Sequence, residues 1–160
     1  MIAESFSSRR LMVGAGAGSA AMLLFAIASQ IMGYAPCELC ILQRWPHLVA
    51  VIIGALALFV RPRRIWAAVG ALAIALGTAI AFYHAGVEQQ WWAGPTQCSG
   101  MVDFTTMSTG DLLAQIEAAP LVRCDQISWS LFGLSMAAWN GILSVGLLGM
   151  WILALLRAPR

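Results

Sequence analysis

Charged residues are sparse along the chain. Arg10, Glu38, Arg44, Arg61, Arg64, Glu88, Asp125 and Arg157 divide it into long uncharged runs over residues 11–37, 45–60, 65–87 and 126–156. Each run approaches or exceeds the ~20 predominantly apolar residues that a membrane helix needs. The pattern predicts an all-α membrane protein, a four-transmembrane-helix bundle with spans near 11–33, 41–60, 65–86 and 131–156 in a single membrane domain, 1–160. Two connections then lie on one side, a short loop over 34–44 and a long one over 87–128, and the long one is large enough to hold chemistry. Composition agrees: 61% of residues are strongly apolar and 10% charged, against about 45–50% and 25% in a soluble domain.

All nine basic residues are arginines, and Arg9, Arg10, Arg61, Arg63, Arg64, Arg157 and Arg160 fall at the N-terminus, between spans two and three, or at the C-terminus. Four spans bring those three places to one side, and the excess of arginine makes that side cytoplasmic. Both termini are therefore expected in the cytoplasm and both loops outside. The acids Glu38, Glu88, Asp103, Asp111, Glu117 and Asp125 lie in the outward segments, which does not oppose this orientation. The formal charge of +2 then reports topology and no affinity for nucleic acid.

Ser8-Arg9-Arg10 before an apolar stretch resembles a twin-arginine export signal, with 26–28 as a candidate cleavage site. The apolar run exceeds the roughly 7 to 15 residues of a signal core and continues towards another span, so it is expected to stay as the first helix. Gly14 and Gly18 have the spacing of a helix face that packs closely on a neighbour. Trp91, Trp92 and Trp129 are expected to anchor the outer interface. Within the long loop, Leu112, Leu113 and Ile116 share a helical face, so a short surface helix over 105–119 competes with a solvated loop.

Cys37, Cys40, Cys98 and Cys124 all fall in outward segments. An outward face permits disulfides, and four cysteines allow three pairings, of which Cys37–Cys40 with Cys98–Cys124 is favoured. Zinc is the first competitor, since Cys37-Glu38-Leu39-Cys40 has the spacing of half a site. Cys98 and Cys124 are too far apart in sequence to supply the other half, so no metal is expected. A Cys-x-x-Cys bridge closes so small a loop that it removes little chain entropy, and such bridges more often exchange than brace.

Arg44 follows Cys40 by one helical turn. The run 45–60 would make a helix of about 24 Å against a hydrocarbon layer of about 30 Å, so the span should begin earlier, near Cys40. Pro46 would be either a first-turn residue of a later start or a kink in an earlier one. In both cases Cys40 sits near a helix N-terminus with a permanent cation a turn below, and both stabilise a thiolate. Arg44 is read as a donor to a polar oxygen of something bound between helices. His84, near the outer end of span three, is either functional or facing headgroup water, and Asn140 in span four is expected to make an interhelical hydrogen bond.

Pro36-Cys37-Glu38-Leu39-Cys40 followed by Gln43-Arg44, Tyr83-His84 before the large loop, Cys98 and Cys124 within it, and the segment from Trp129 through Gly133 to Met136 together resemble the DsbB family over essentially the whole chain. These are the quinone-linked, disulfide-generating inner-membrane proteins of Gram-negative bacteria. The resemblance implies a bacterial inner-membrane location with the active cysteines on the periplasmic side. It implies that Cys98 and Cys124 form the loop disulfide that oxidises a DsbA-like periplasmic thiol oxidase, with Cys98 forming the mixed disulfide. It also implies that Cys37 and Cys40 form the membrane-proximal pair. Cys40 would then donate to ubiquinone or menaquinone from the membrane pool, at a site where Arg44, His84 and Gln43 contact the cofactor. Glu38 between the cysteines opposes the thiolate that Arg44 favours. The alternative class is a membrane scaffold whose disulfides only brace its loops.

Overall fold

The computed structural model describes residues 2–60, 64–95, 98, 110 and 122–158, with side chains from residue 7 onward. Helix α1 (Ile2–Ile31) is followed by a single-turn helix α2 (Glu38–Leu42), then by α3 (Arg44–Phe59) and α4 (Arg64–Glu88). After the long loop come two short antiparallel strands, β1 (Ser130–Leu131) and β2 (Leu134–Ser135), which lead into α5 (Met136–Arg157). The expected helix over 105–119 lies outside the described residues, apart from position 110.

Four segments are long and apolar enough to cross a membrane: Ser7–Ile31, Glu38–Phe59, Arg64–Glu88 and Met136–Arg157. They close a ring in which α1 packs between α3 and α5, and α4 between the same two. Large apolar side chains point away from the ring, with Leu24, Phe59, Leu72 and Leu156 each more than 60% exposed. A water-soluble monomer does not carry such continuous apolar surface, whereas a lipid-facing one does. The protein is a four-helix, multi-pass membrane protein.

The core of the ring is built from small residues. Ala15, Ala50, Ala67 and Ala154 are fully buried around Ile74 and Trp151. A Cβ added to Gly16 would stand 2.8 Å from the Gly54 Cα, so α1 and α3 cross backbone to backbone. Gly14 and Gly18 instead face Met150 and Leu147 of α5. Because lipid is as apolar as the helices, association here depends on this close approach.

Span ends differ from the pattern-based positions where side chains cap the chain. The fourth span starts at Met136, five residues later than expected, because residues 130–135 form a hairpin turning through Phe132 (φ 52°) and Gly133 (φ 78°). Ser135 then caps α5, its Oγ accepting from the Ala138 N–H at 3.1 Å. The second span starts at Glu38, and Cys37 is its N-cap. Its helix is interrupted at Gln43, four residues after Leu39, because Pro46 lacks the N–H that would bond the Leu42 carbonyl. Pro46 is thus both a first-turn residue of α3 and the cause of the break. Helix α1 begins earlier than predicted, at Ile2, and ends sooner, at Ile31, while α4, running from Arg64 to Glu88, extends beyond both predicted limits.

Candidate functional site: two cysteine pairs over a buried polar cluster

All four cysteines meet at one end of the ring, with Cys37, Cys98 and Cys124 packed around Leu39 and Val87. At the opposite end the two outer helices are tied by Arg157 donating to Ser7 and by Ser8 donating to the Ala154 carbonyl. Cys98 and Cys124 are disulfide-bonded, and the Cys124 N–H also donates to the Cys98 carbonyl at 2.8 Å. Cys37 and Cys40 are thiols with their sulfurs 2.9 Å apart, where the sequence reading expected a bond. The spacing of the Cys37 and Cys40 sulfurs leaves them free to close.

Capping places the first pair. Extended backbone at Cys37 lets its Sγ accept the Cys40 N–H at 3.3 Å, which satisfies a free donor of α2 and brings both sulfurs to one face. The hydrogen bond with Cys40, burial and the charge of Cys40 all push the Cys37 thiol far above its ordinary range, so Cys37 keeps its proton. The Sγ atoms of Cys37 and Cys124 and a ring nitrogen of His84 lie within 4.8 Å of one another. Cys124 is already bonded to Cys98, which leaves that trio without a third ligand for a metal.

His84 is 2% exposed, so the reading in which it faces headgroup water does not hold. Its Nε2 lies 3.2 Å from the Cys124 carbonyl, 3.6 Å from Cys37 Sγ and 3.9 Å from Glu88 Oε1. Its Nδ1 lies 2.9 Å from the Gln43 side-chain nitrogen. Glu88 accepts from Ser135 Oγ, which joins the end of α4 to the start of α5. Arg123 and Asp125, flanking Cys124, pair at 2.5 and 2.9 Å, and the Arg123 hydrogen bond holds the Asp125 carboxyl below its usual range.

Beneath the sulfurs is a cavity of ≈ 470 Å³ whose lining includes Cys37, Cys40, Gln43, Arg44, His84 and Phe25. This is within the range of small-molecule sites. Arg44 donates from Nη1 to Gln30 Oε1 at 2.9 Å, and its Nε is buried without a partner among the described residues. Deeper in the bundle, Asn140 joins Gln43 at 2.6 Å and His47 at 3.0 Å, making the expected interhelical hydrogen bonds. Cys37, Cys40, Cys98, Cys124, Gln43, Arg44 and His84 are therefore brought to this end.

The sequence reading missed His47, which is 3% exposed and also lines the cavity. Its signal was the helical spacing, since it follows Gln43 by four positions and Arg44 by three. Gln30 and Glu88 were missed as partners as well. Trp92 folds back over Gly86, stacks on Tyr83 at 6.1 Å and donates to the Tyr83 carbonyl, while Trp91 stays 73% exposed at the loop's edge.

Residues 8–154 match the family described as disulfide bond formation protein DsbB. The chain is 30% identical to disulfide bond formation protein B of Paracidovorax citrulli over 160 residues, covering 95% of this chain and 89% of that one. It is 28% identical to the protein of the same name from Stutzerimonas stutzeri, covering 93% of each. Disulfide bond formation protein B 2 of Pseudomonas aeruginosa is 33% identical over 77% of this chain and 76% of its own. No solved structure matches the chain. With four membrane helices carrying two cysteine pairs at one end, and a family match over nearly its whole length, the chain belongs to the DsbB family of membrane proteins for disulfide bond formation.

Proposed function

We propose that the protein is a protein-thiol:quinone oxidoreductase of the bacterial inner membrane. In this reading it reoxidises a DsbA-like periplasmic thiol oxidase through Cys98–Cys124 and passes the electrons through Cys37 and Cys40 to ubiquinone or menaquinone. The observation that carries the reading is the contact between pairs: Cys37 and Cys124 have their sulfurs within 4.8 Å, one in a dithiol and one in a disulfide.

Thiol–disulfide exchange needs only thiolate attack and a leaving thiolate. A thiolate of the reduced partner attacks Cys98, forming a mixed disulfide and releasing Cys124 as thiolate. The partner's second thiolate then attacks its own sulfur in that bond and releases Cys98. Cys124 attacks Cys37 of an oxidised Cys37–Cys40 pair, and Cys40 leaves as thiolate. Cys98 finally attacks Cys124, restoring the loop bond and releasing Cys37, so two electrons have moved inward. The end point is a loop disulfide above a dithiol.

Making a disulfide afresh needs a two-electron sink, and a quinone bound from the bilayer supplies one together with acceptance of two protons. The cavity fits such a group by its apolar walls and by the buried Arg44 Nε, a cationic donor with no partner among the described residues. Arg44 would hold a carbonyl oxygen beside Gln43, whose own amide protons go to Leu39 and His84, while Cys40 presents its sulfur to the same cavity. The loops, by the arginine distribution, face the periplasm.

The test is purified protein with reduced DsbA and a soluble quinone, followed by quinone absorbance, together with a Cys124→Ala trap given oxidised DsbA, whose disulfide the lone Cys98 thiolate attacks. The oxidase predicts quinone loss that depends on DsbA and a mixed disulfide on Cys98. A protein whose disulfides merely brace its loops gives neither.

A further inference from the structure

Hydrogen bonds around Gln43 can be assigned a direction without reference to any hydrogen atom. The Leu39 backbone carbonyl only accepts, so the Gln43 atom 3.1 Å from it must be the amide nitrogen. That nitrogen has two protons and sends the other to His84 Nδ1 at 2.9 Å, which must therefore be a lone pair. Neutral His84 then carries its proton on Nε2, facing the Cys124 carbonyl and Cys37 Sγ.

The same logic runs inward. Gln43 Oε1 accepts, so the Asn140 atom 2.6 Å away is its nitrogen and the Asn140 oxygen is left to accept. It takes the Nε2 proton of His47 at 3.0 Å and the Ser144 hydroxyl at 3.3 Å. His47 Nδ1 is then a lone pair that receives the Ser19 hydroxyl at 3.3 Å. Donors point one way from Ser19 to Cys37, across all four spans, and the Cys37 Sγ lies 2.9 Å from Cys40 Sγ.

We propose that Ser19, His47, Asn140 and Gln43 form a polarised hydrogen-bond relay that fixes the Nε2–H tautomer of His84. Through His84 and the Cys40 N–H, the sulfur of Cys37 faces two donors, which favour negative charge on that sulfur. They stabilise Cys37 as the leaving thiolate when Cys98 attacks Cys124 and closes the loop bond. His47 and Asn140 act as positioning residues, since neither is hydrogen-bonded to a sulfur. Glu88 Oε1, 3.9 Å from His84 Nε2, is the charged group facing the same ring edge, and Ser135 occupies its other oxygen. Buried polar chains of this kind are retained in membranes only when every member is satisfied. The proposal deepens the oxidoreductase reading, on which it rests, by assigning what stabilises the sulfur released in the inner exchange step.

The experiment is ¹⁵N NMR of histidine-labelled protein in micelles, combined with the rate of Cys37 alkylation at alkaline pH resolved by peptide mass spectrometry. The wild-type protein is expected to show both histidines protonated at Nε2 and bare at Nδ1. Gln43→Glu replaces the donor to His84 with an acceptor and is expected to put a proton on Nδ1. Asn140→Leu is expected to populate Nδ1–H at His84, although residue 140 is not hydrogen-bonded to it, and to slow Cys37 alkylation by about tenfold, the size of one hydrogen bond to a charged group. Ser144→Ala, off the line of donors, should leave both readouts as they were. A wild-type His84 protonated at Nδ1, or an unchanged His84 spectrum in both Gln43→Glu and Asn140→Leu, overturns the relay. Neither readout uses quinone or a thiol partner. A protein with the expected tautomers but no quinone reduction would therefore overturn the oxidoreductase reading and leave the relay standing.

Discussion

Arg44 of α3 reaches α1, donating from Nη1 to Gln30 Oε1 at 2.9 Å, while its Nε stays buried with no partner among the described residues. One edge of the guanidinium is thus spent on holding the side chain, and another is kept for something else. Positioning and binding are separable in such an arrangement.

Arg44→Ala should therefore raise the apparent KM for quinone by at least about tenfold, the scale of losing a charged donor, while removing about 1 kcal/mol of stability or less. Gln30→Ala, which releases the guanidinium without deleting it, should raise KM by a smaller factor. Steady-state quinone reduction and thermal unfolding in micelles measure the two effects. An unchanged KM in Arg44→Ala would remove Arg44 from the quinone site.

Cys37→Ala should separate the two halves of the reaction. The Cys98–Cys124 bond remains available, so a dithiol partner is oxidised in a single equivalent, after which turnover stops because Cys124 has no inner disulfide to attack. Counting free thiols of the partner against enzyme added gives the stoichiometry. Continued turnover would mean that Cys37 is not on the path.

The hydrogen bond with Cys40 is the largest cause of the raised Cys37 pKa, followed by burial. A raised pKa means that the thiol persists to higher pH, so in the reduced protein Cys37 should resist alkylation until strongly alkaline conditions. Replacing Cys40 by alanine removes the first cause and leaves burial, so the alkylation profile of Cys37 should move to lower pH. A profile that stays put, or moves up, would contradict the shared-proton arrangement.

Gly16→Ala should destabilise the bundle by about 1–3 kcal/mol, because its Cβ would meet the Gly54 backbone at 2.8 Å and backbone cannot turn aside as a side chain can. Gly146→Ala, with nothing within 4 Å, should cost little and serves as the comparison. Unfolding of both variants in the same detergent measures the difference.

Much of the architecture was legible because lipid imposes a simple rule, that long stretches without charge become helices. The spans and the gathering of the cysteines at one end followed from charge-free runs and from where Cys37, Cys40, Cys98 and Cys124 interrupt them. Span ends were less legible, since they depend on single caps. Ser135 stands just before an apolar run and Phe132-Gly133 reads as a turn, yet a continuous apolar count from 131 passes over both. Least visible were His47, Gln30 and Glu88, because a polar residue in a span announces that it needs a partner without saying which. Gln43 and Asn140 are 97 positions apart and meet only through the packing of α3 on its neighbours.

Pro46 gives the second span one further property. With no N–H to take the Leu42 carbonyl, the helix lacks a rung at Gln43, and bending is cheaper there than along the rest of its length. The turn that carries Cys37 and Cys40 is consequently jointed to the rod in the lipid. Sulfurs that must exchange partners can tilt by the ångström or so that bond making requires while the buried crossing of Gly16 on Gly54 stays still.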